Sequence, residues 1–237
     1  MRLALAGVLL CLALPASAQD RTALSRQCNG PAESEPRVRI EACTALIAIP
    51  GQNQMAVAVM YHNRGRAHAS LGDYDRAIAD YNQATRLDAL NTDAFTSRGS
   101  AYVAKGEFAR AMPDFDRGLL FTDKNVAALA GRCRAGAALG KLKEALADCD
   151  SALRLRPANV EAADSRGLVH LLARRYDAAI EDYDLALRIG PKRASSLYGR
   201  GIARRGKGDL VAAEVDISAA VALQLDIVQV MTRYGVR

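Results

Sequence analysis

The sequence predicts an all-α solenoid, and three observations carry that reading. Arginine stands at Arg64, Arg98, Arg132, Arg166 and Arg200, stepping by 34 residues. Aspartate stands at Asp80, Asp114, Asp148, Asp182 and Asp216, each 16 residues after its arginine. In the first unit, small or apolar residues fall at Tyr61, Gly65, His68 and Gly72, then at Tyr74, Ala77, Tyr81, Ala84 and Leu87. Steps of three and four on both sides of a Gly-Asp corner describe two amphipathic helices joined by a tight turn. A period of roughly 20 to 50 residues marks units that bury their apolar faces only by stacking on one another.

Composition agrees with close helix packing. Half of the 237 residues are apolar but only 5% are aromatic, with 18 Gly and no Trp. A core built from such residues consists of small side chains on helices that approach closely. The formal charge of +6 comes mostly from scattered arginines, without a run of five or six basic residues, so no nucleic-acid footprint is indicated.

The chain opens on Arg2, the apolar run LALAGVLLCLALP and then Ala16-Ser17-Ala18. This order reads as a secretory signal peptide, residues 1–18, cleaved after Ala18. Leu10 before Cys11 is too large for a lipoprotein-type cleavage site, and no other stretch is long and apolar enough to span a membrane. The expected location is therefore periplasmic or secreted. Loss of Arg2 and Cys11 leaves 31 basic and 26 acidic residues, a net charge of +5, and four cysteines. An even count in an oxidising compartment favours disulfides, and Cys28 with Cys43 flanks a short loop whose closure is worth roughly 3 kcal/mol.

Residues 19–57 form an entry segment. Polar residues broken by Asn29-Gly30-Pro31 and Pro36 predict an irregular or short helical start. Arg37 to Ile49 then reads as the second half of an incomplete unit, closed by IPGQNQ. Five full units follow at 58–91, 92–125, 126–159, 160–193 and 194–227. Their corners are Leu71-Gly72-Asp73, Lys105-Gly106-Glu107, Leu139-Gly140-Lys141, Arg174-Arg175 and Gly206 to Asp209, so the fourth lacks its glycine. Pro113 falls near the start of a second helix, where it is tolerated or produces a mild kink. Residues 228–237 read as the end of a capping helix stopped at Tyr234-Gly235.

These units resemble tetratricopeptide repeats of the exported bacterial type, over residues 58 to about 227. The small position of the first helix is met by Gly65, Gly99, Cys133, Gly167 and Gly201, and that of the second by Ala77, Ala111, Ala145, Ala179 and Ala213. The following aromatic is Tyr81, Phe115 and Tyr183, replaced by Cys149 and Ile217 in the third and fifth units. The bulky position usually held by Trp is Tyr61, Phe95, Leu129, Ala163 and Leu197. The resemblance implies a right-handed α-solenoid in which position 8 of each unit faces position 24. That pairing sets each arginine almost opposite its aspartate. Either they form a ladder of structural ion pairs, or the arginines point into the groove towards an acidic ligand. It also makes Cys133 and Cys149 face each other, as a disulfide or as two buried thiols filling an aromatic's place.

No catalytic constellation emerges. His68 and His170 share a position facing the partner helix, and acid pairs such as Asp114 with Asp116 or Asp182 with Asp184 recur with the period. Metal, phosphate-loop and nucleophile motifs are missing, so neither an enzyme, a cofactor nor a metal is expected. The resemblance instead implies a concave groove lined by first helices: His62, Arg66, Thr96, Ser100, Arg134, Asp164, Leu168, Leu172, Tyr198, Ile202 and Arg205. Leu168, Leu172, Tyr198 and Ile202 make either an apolar partner patch or a surface covered by the next repeat or the C-terminal helix. The family's carboxylate clamp is not reproduced. The expected function is a non-catalytic scaffold holding a protein or peptide, with a cell-envelope glycan or acidic-polymer binding factor as the alternative.

Overall fold

A computed structural model describes residues 18–31 and 35–236. Residues 1–17, which carry the signal-peptide expectation, lie outside the described residues. Among those described there are thirteen helices and no strand. The entry segment holds α1 (Ala18–Cys28) and α2 (Pro36–Ile47). Five hairpins follow: α3 (Gln54–Ser70) with α4 (Tyr74–Leu87), α5 (Thr92–Lys105) with α6 (Phe108–Gly118), α7 (Val126–Ala138) with α8 (Leu142–Leu155), α9 (Val160–Leu172) with α10 (Tyr176–Ile189), and α11 (Ala194–Gly206) with α12 (Leu210–Leu223). The last element is α13 (Ile227–Arg233).

Caps explain the phase. Asn91, Asn125 and Asn159 each accept from the backbone N–H three residues on, which fixes the starts of α5, α7 and α9 at 34-residue intervals. Asn53 does the same for α3, so the first hairpin begins four residues before Ala58. Corners turn on left-handed glycines, with φ of +77° at Gly72, +78° at Gly106, +76° at Gly140 and +89° at Gly208. In the fourth hairpin Arg174 takes that conformation itself, at φ 55°. An L side chain is strained there.

Each hairpin closes on a small residue against a large one. A Cβ at Gly65 would stand 2.7 Å from the Tyr81 ring, and one at Gly99 or Gly167 would stand 2.9 Å from Phe115 or Tyr183. The third hairpin has no aromatic there; Cys133 and Cys149 are bonded, with Cα atoms 5.6 Å apart. Cys28 and Cys43 are bonded at a Cα separation of 4.9 Å and pin α1 to α2. Each aromatic also presses on the next hairpin. Tyr81 places its hydroxyl on Ser97, whereas Phe115 and Tyr183 press on Gly131 and Gly199.

The arginine column binds within and between hairpins. Each arginine grips its aspartate through two nitrogens, as Arg132 does with Nε and Nη2 at 2.8 and 2.7 Å from Asp148. The third nitrogen reaches back to the preceding hairpin. Arg98 meets Asn82 at 2.8 Å, Arg132 meets Asp116 at 2.8 Å, Arg166 meets Asp150 at 2.9 Å and Arg200 meets Asp184 at 2.6 Å. Arg64 spends its third nitrogen on Thr44 of the incomplete unit, at 2.9 Å. Bidentate geometry of this kind gives directional as well as electrostatic strength.

Candidate functional site

The first helices, α3, α5, α7, α9 and α11, line the inner curve, and the structure divides their predicted contact residues into two halves. In the N-terminal half the surface is open and polar. Arg66 and Ser100 are exposed. His62 is half-buried, with Nε2 3.0 Å from Ser97 Oγ. Burial, reinforced by the nearby Arg66 charge, lowers its pKa to about 4, so it is neutral at pH 7. Thr96 departs from expectation. It is buried, donates to Thr92 O at 2.8 Å and accepts from Asn125 at 3.2 Å, so its hydroxyl joins α5 to α7 instead of facing a partner.

The C-terminal half is covered by the chain's own end. Leu168 is 2% exposed and Tyr198 8% exposed, in one buried cluster with Ile227, Met231, Tyr234 and Val236. Of the two readings of this apolar patch the covered one holds, so Leu168 and Tyr198 are not exposed partner contacts: α13 turns inward across the curve. The Tyr234 ring lies 5.0 Å from that of Phe108 and 5.5 Å from the Arg134 guanidinium. Arg233 lies against Gly106, and Gly235 lies against Leu172. Leu172 and Ile202 are half-buried and border a recess beside Val236, while Arg205 stays exposed.

Beneath the tail sits a buried ionic cluster. Asp164 accepts from Arg134 and Ser196, and from Ser195 Oγ at 3.2 Å, with Arg193 Nε 3.6 Å away. Burial alone would raise the carboxyl pKa, but the Arg134 and Arg193 charges and the Ser196 hydroxyl override it and hold it below the ordinary value. Asp164 is therefore a structural anion of the groove floor, which corrects its expected role as an exposed contact. Arg134 is likewise engaged in this cluster. Sequence spacing gave no sign of it, because Arg134 belongs to the preceding unit, Ser195 and Ser196 to the next and Arg193 to the end of Asp164's own unit, all at positions outside the repeating columns.

The remaining histidines sit against the ladder. His68 Nε2 is 4.0 Å from Asp80 and His170 Nε2 is 3.7 Å from Asp182, and burial lowers the pKa of both. Among the described residues no group of three or more His, Cys, Asp or Glu is placed to hold a metal ion. No described helix is long and apolar enough to cross a membrane.

Residues 65–106 match a family model described as TPR repeat, and residues 134–194 match one described as Tetratricopeptide repeat. No curated protein matches. Among solved structures, a tetratricopeptide repeat protein from Parabacteroides merdae is 18% identical, with a TM-score of 0.67, covering 91% of this chain and 88% of that one. YrrB, described as a TPR protein with an unusual peptide-binding site, is 23% identical with a TM-score of 0.53, covering 81% and 97%. MamA from Desulfovibrio magneticus is 19% identical with a TM-score of 0.55, covering 71% and 96%. At these identities the likeness concerns the fold.

Proposed function

Because the chain is a tetratricopeptide-repeat protein, we propose that it is a non-catalytic scaffold outside the cytoplasm, holding a protein or peptide partner along its concave face. One observation carries the reading. The inner curve already holds a polypeptide segment, its own C-terminus, while the strip from α3 to α5 stays open. On that strip exposed Arg66 and Ser100 flank a neutral His62, a surface suited to hydrogen bonding with a peptide backbone and to a single acidic group. The rigid hairpins hold this surface in place before binding, which lowers the entropy lost on association. The two cystines support an oxidising compartment. The ladder arginines favour a structural role over polymer capture, since their nitrogens are spent on Asp and Asn partners.

Site-specific photocrosslinking in intact cells tests this. A crosslinking residue at position 66 or 100 should yield one discrete partner adduct, and one at exposed Glu181 on α10 should not. Identical adduct patterns from all three positions would remove the groove from the proposal.

A further inference from the structure

We propose that residues 225–236 are a displaceable occupant of the groove. On this view the groove between α5 and α11 accepts in exchange an amphipathic segment of another polypeptide with an aliphatic residue, Met, Tyr and a further aliphatic residue at spacings of four, three and two. The proposal rests on reading the inner curve as a partner-holding surface and names the kind of partner it takes.

The 34-residue period would start a sixth unit at position 228, stacked on α11 and α12 as each earlier first helix stacks on the hairpin before it. The chain does something else. From Ile227 it crosses the curve to reach Phe108 and Gly106, three hairpins back. Its contacts have the form of ligand anchors: Ile227, Met231, Tyr234 and Val236 are buried, while Val228, Gln229 and Thr232 are exposed. A helix of seven residues is not stable in isolation, so its order depends on the groove.

The groove does not depend on the tail in the same way. Asp164 is satisfied by Arg134, Ser195 and Ser196, all supplied by the hairpins, so its buried carboxylate needs nothing from α13. The link from α12 is short and exposed at Leu225 and Asp226, and it is held by local bonds, Gln224 Nε2 donating to Asp226 at 2.9 Å and Ile227 N–H to Gln224 O at 3.1 Å. The site therefore has a preformed anionic floor and an occupant whose short helix is ordered by the groove. A partner must compete with the tail, and its apparent affinity falls by the fraction of molecules with the groove uncovered.

The probe is a fluorescent peptide of residues 225–237, LDIVQVMTRYGVR, titrated by anisotropy into the full chain and into a full-length variant carrying Met231→Ser and Tyr234→Ser. The variant should bind at least tenfold more tightly than the unmodified chain, and a peptide carrying Tyr234→Ser should bind neither. Hydrogen exchange on the unmodified chain gives a second readout: saturating peptide should deprotect amides 227–236 and leave α9 protected. Equal affinity for both proteins, a folded variant that ignores the peptide, or unchanged tail protection at saturation overturns the exchange. Positions 66 and 100 lie outside the tail's contacts, so their crosslinks report on the scaffold reading separately.

Discussion

Replacing Asp148 by alanine should destabilise the array far more than replacing Asp150, although the two carboxylates stand two residues apart on α8 and each pairs with a ladder arginine. Asp148 accepts two bonds from Arg132, and the side chains are 13% and 28% exposed. Removing one partner of a buried pair strands the other charge and costs about 3–5 kcal/mol. Partial exposure and the surviving Asp116 contact of Arg132 place this rung near the lower end, at about 3 kcal/mol. For a chain of this size that lowers the melting temperature by about 6–12 °C. Asp150 makes one bond to Arg166 and its side chain is 42% exposed, so Asp150→Ala should cost less than about 1 kcal/mol. Circular dichroism melts and urea titrations with the cystines intact measure both. Should Asp148→Ala melt with the unmodified chain, or should the two variants fall together, the ladder is not what holds the hairpins in register.

Two further outcomes follow from single residues. Arg174→Gly removes the left-handed strain at the fourth corner and should raise the urea midpoint, with a net gain of about 0.5 kcal/mol after the extra unfolded-chain entropy of glycine; a lower midpoint would show that the Arg174 side chain contributes more than the strain removes. His62, with its folded pKa near 4 against about 6.5 when unfolded, binds its proton only in the unfolded chain between those values. Stability is unaffected above about pH 6.5 and falls by about 3 kcal/mol as pH drops to 4, so His62→Gln should flatten the pH dependence of the urea midpoint across that window; parallel curves for both proteins would refute the buried, neutral imidazole.

Which parts of the molecule the sequence discloses depends on whether a contact repeats. The Arg–Asp columns and the Gly–aromatic pairs recur every 34 residues because each hairpin solves the same packing problem against an identical neighbour, and a repeated solution leaves a repeated letter. The backward arm of the ladder was equally readable: Asn82, Asp116, Asp150 and Asp184 form their own column, 16 residues before the arginine each one meets. The contact of Tyr234 with Phe108 happens once, across more than a hundred residues, and no period can announce it. For the same reason Leu168 and Tyr198 were legible as large apolar residues on an inner face, with cover by the C-terminal helix as one of two readings, but the particular contacts that make the cover were not. What did hint at it is local. Ile227 and Met231 on a helix of seven residues and Tyr234 at its C-cap space an apolar stripe, and so short a stripe is ordered only against a surface that curves towards it. Within reach of that stripe the apolar surface is the inner curve itself, where Leu168, Leu172, Tyr198 and Ile202 would otherwise face water. Burying both sets at once satisfies two exposed surfaces with one turn of the chain, and it makes the covered half of the groove the part where a partner meets competition.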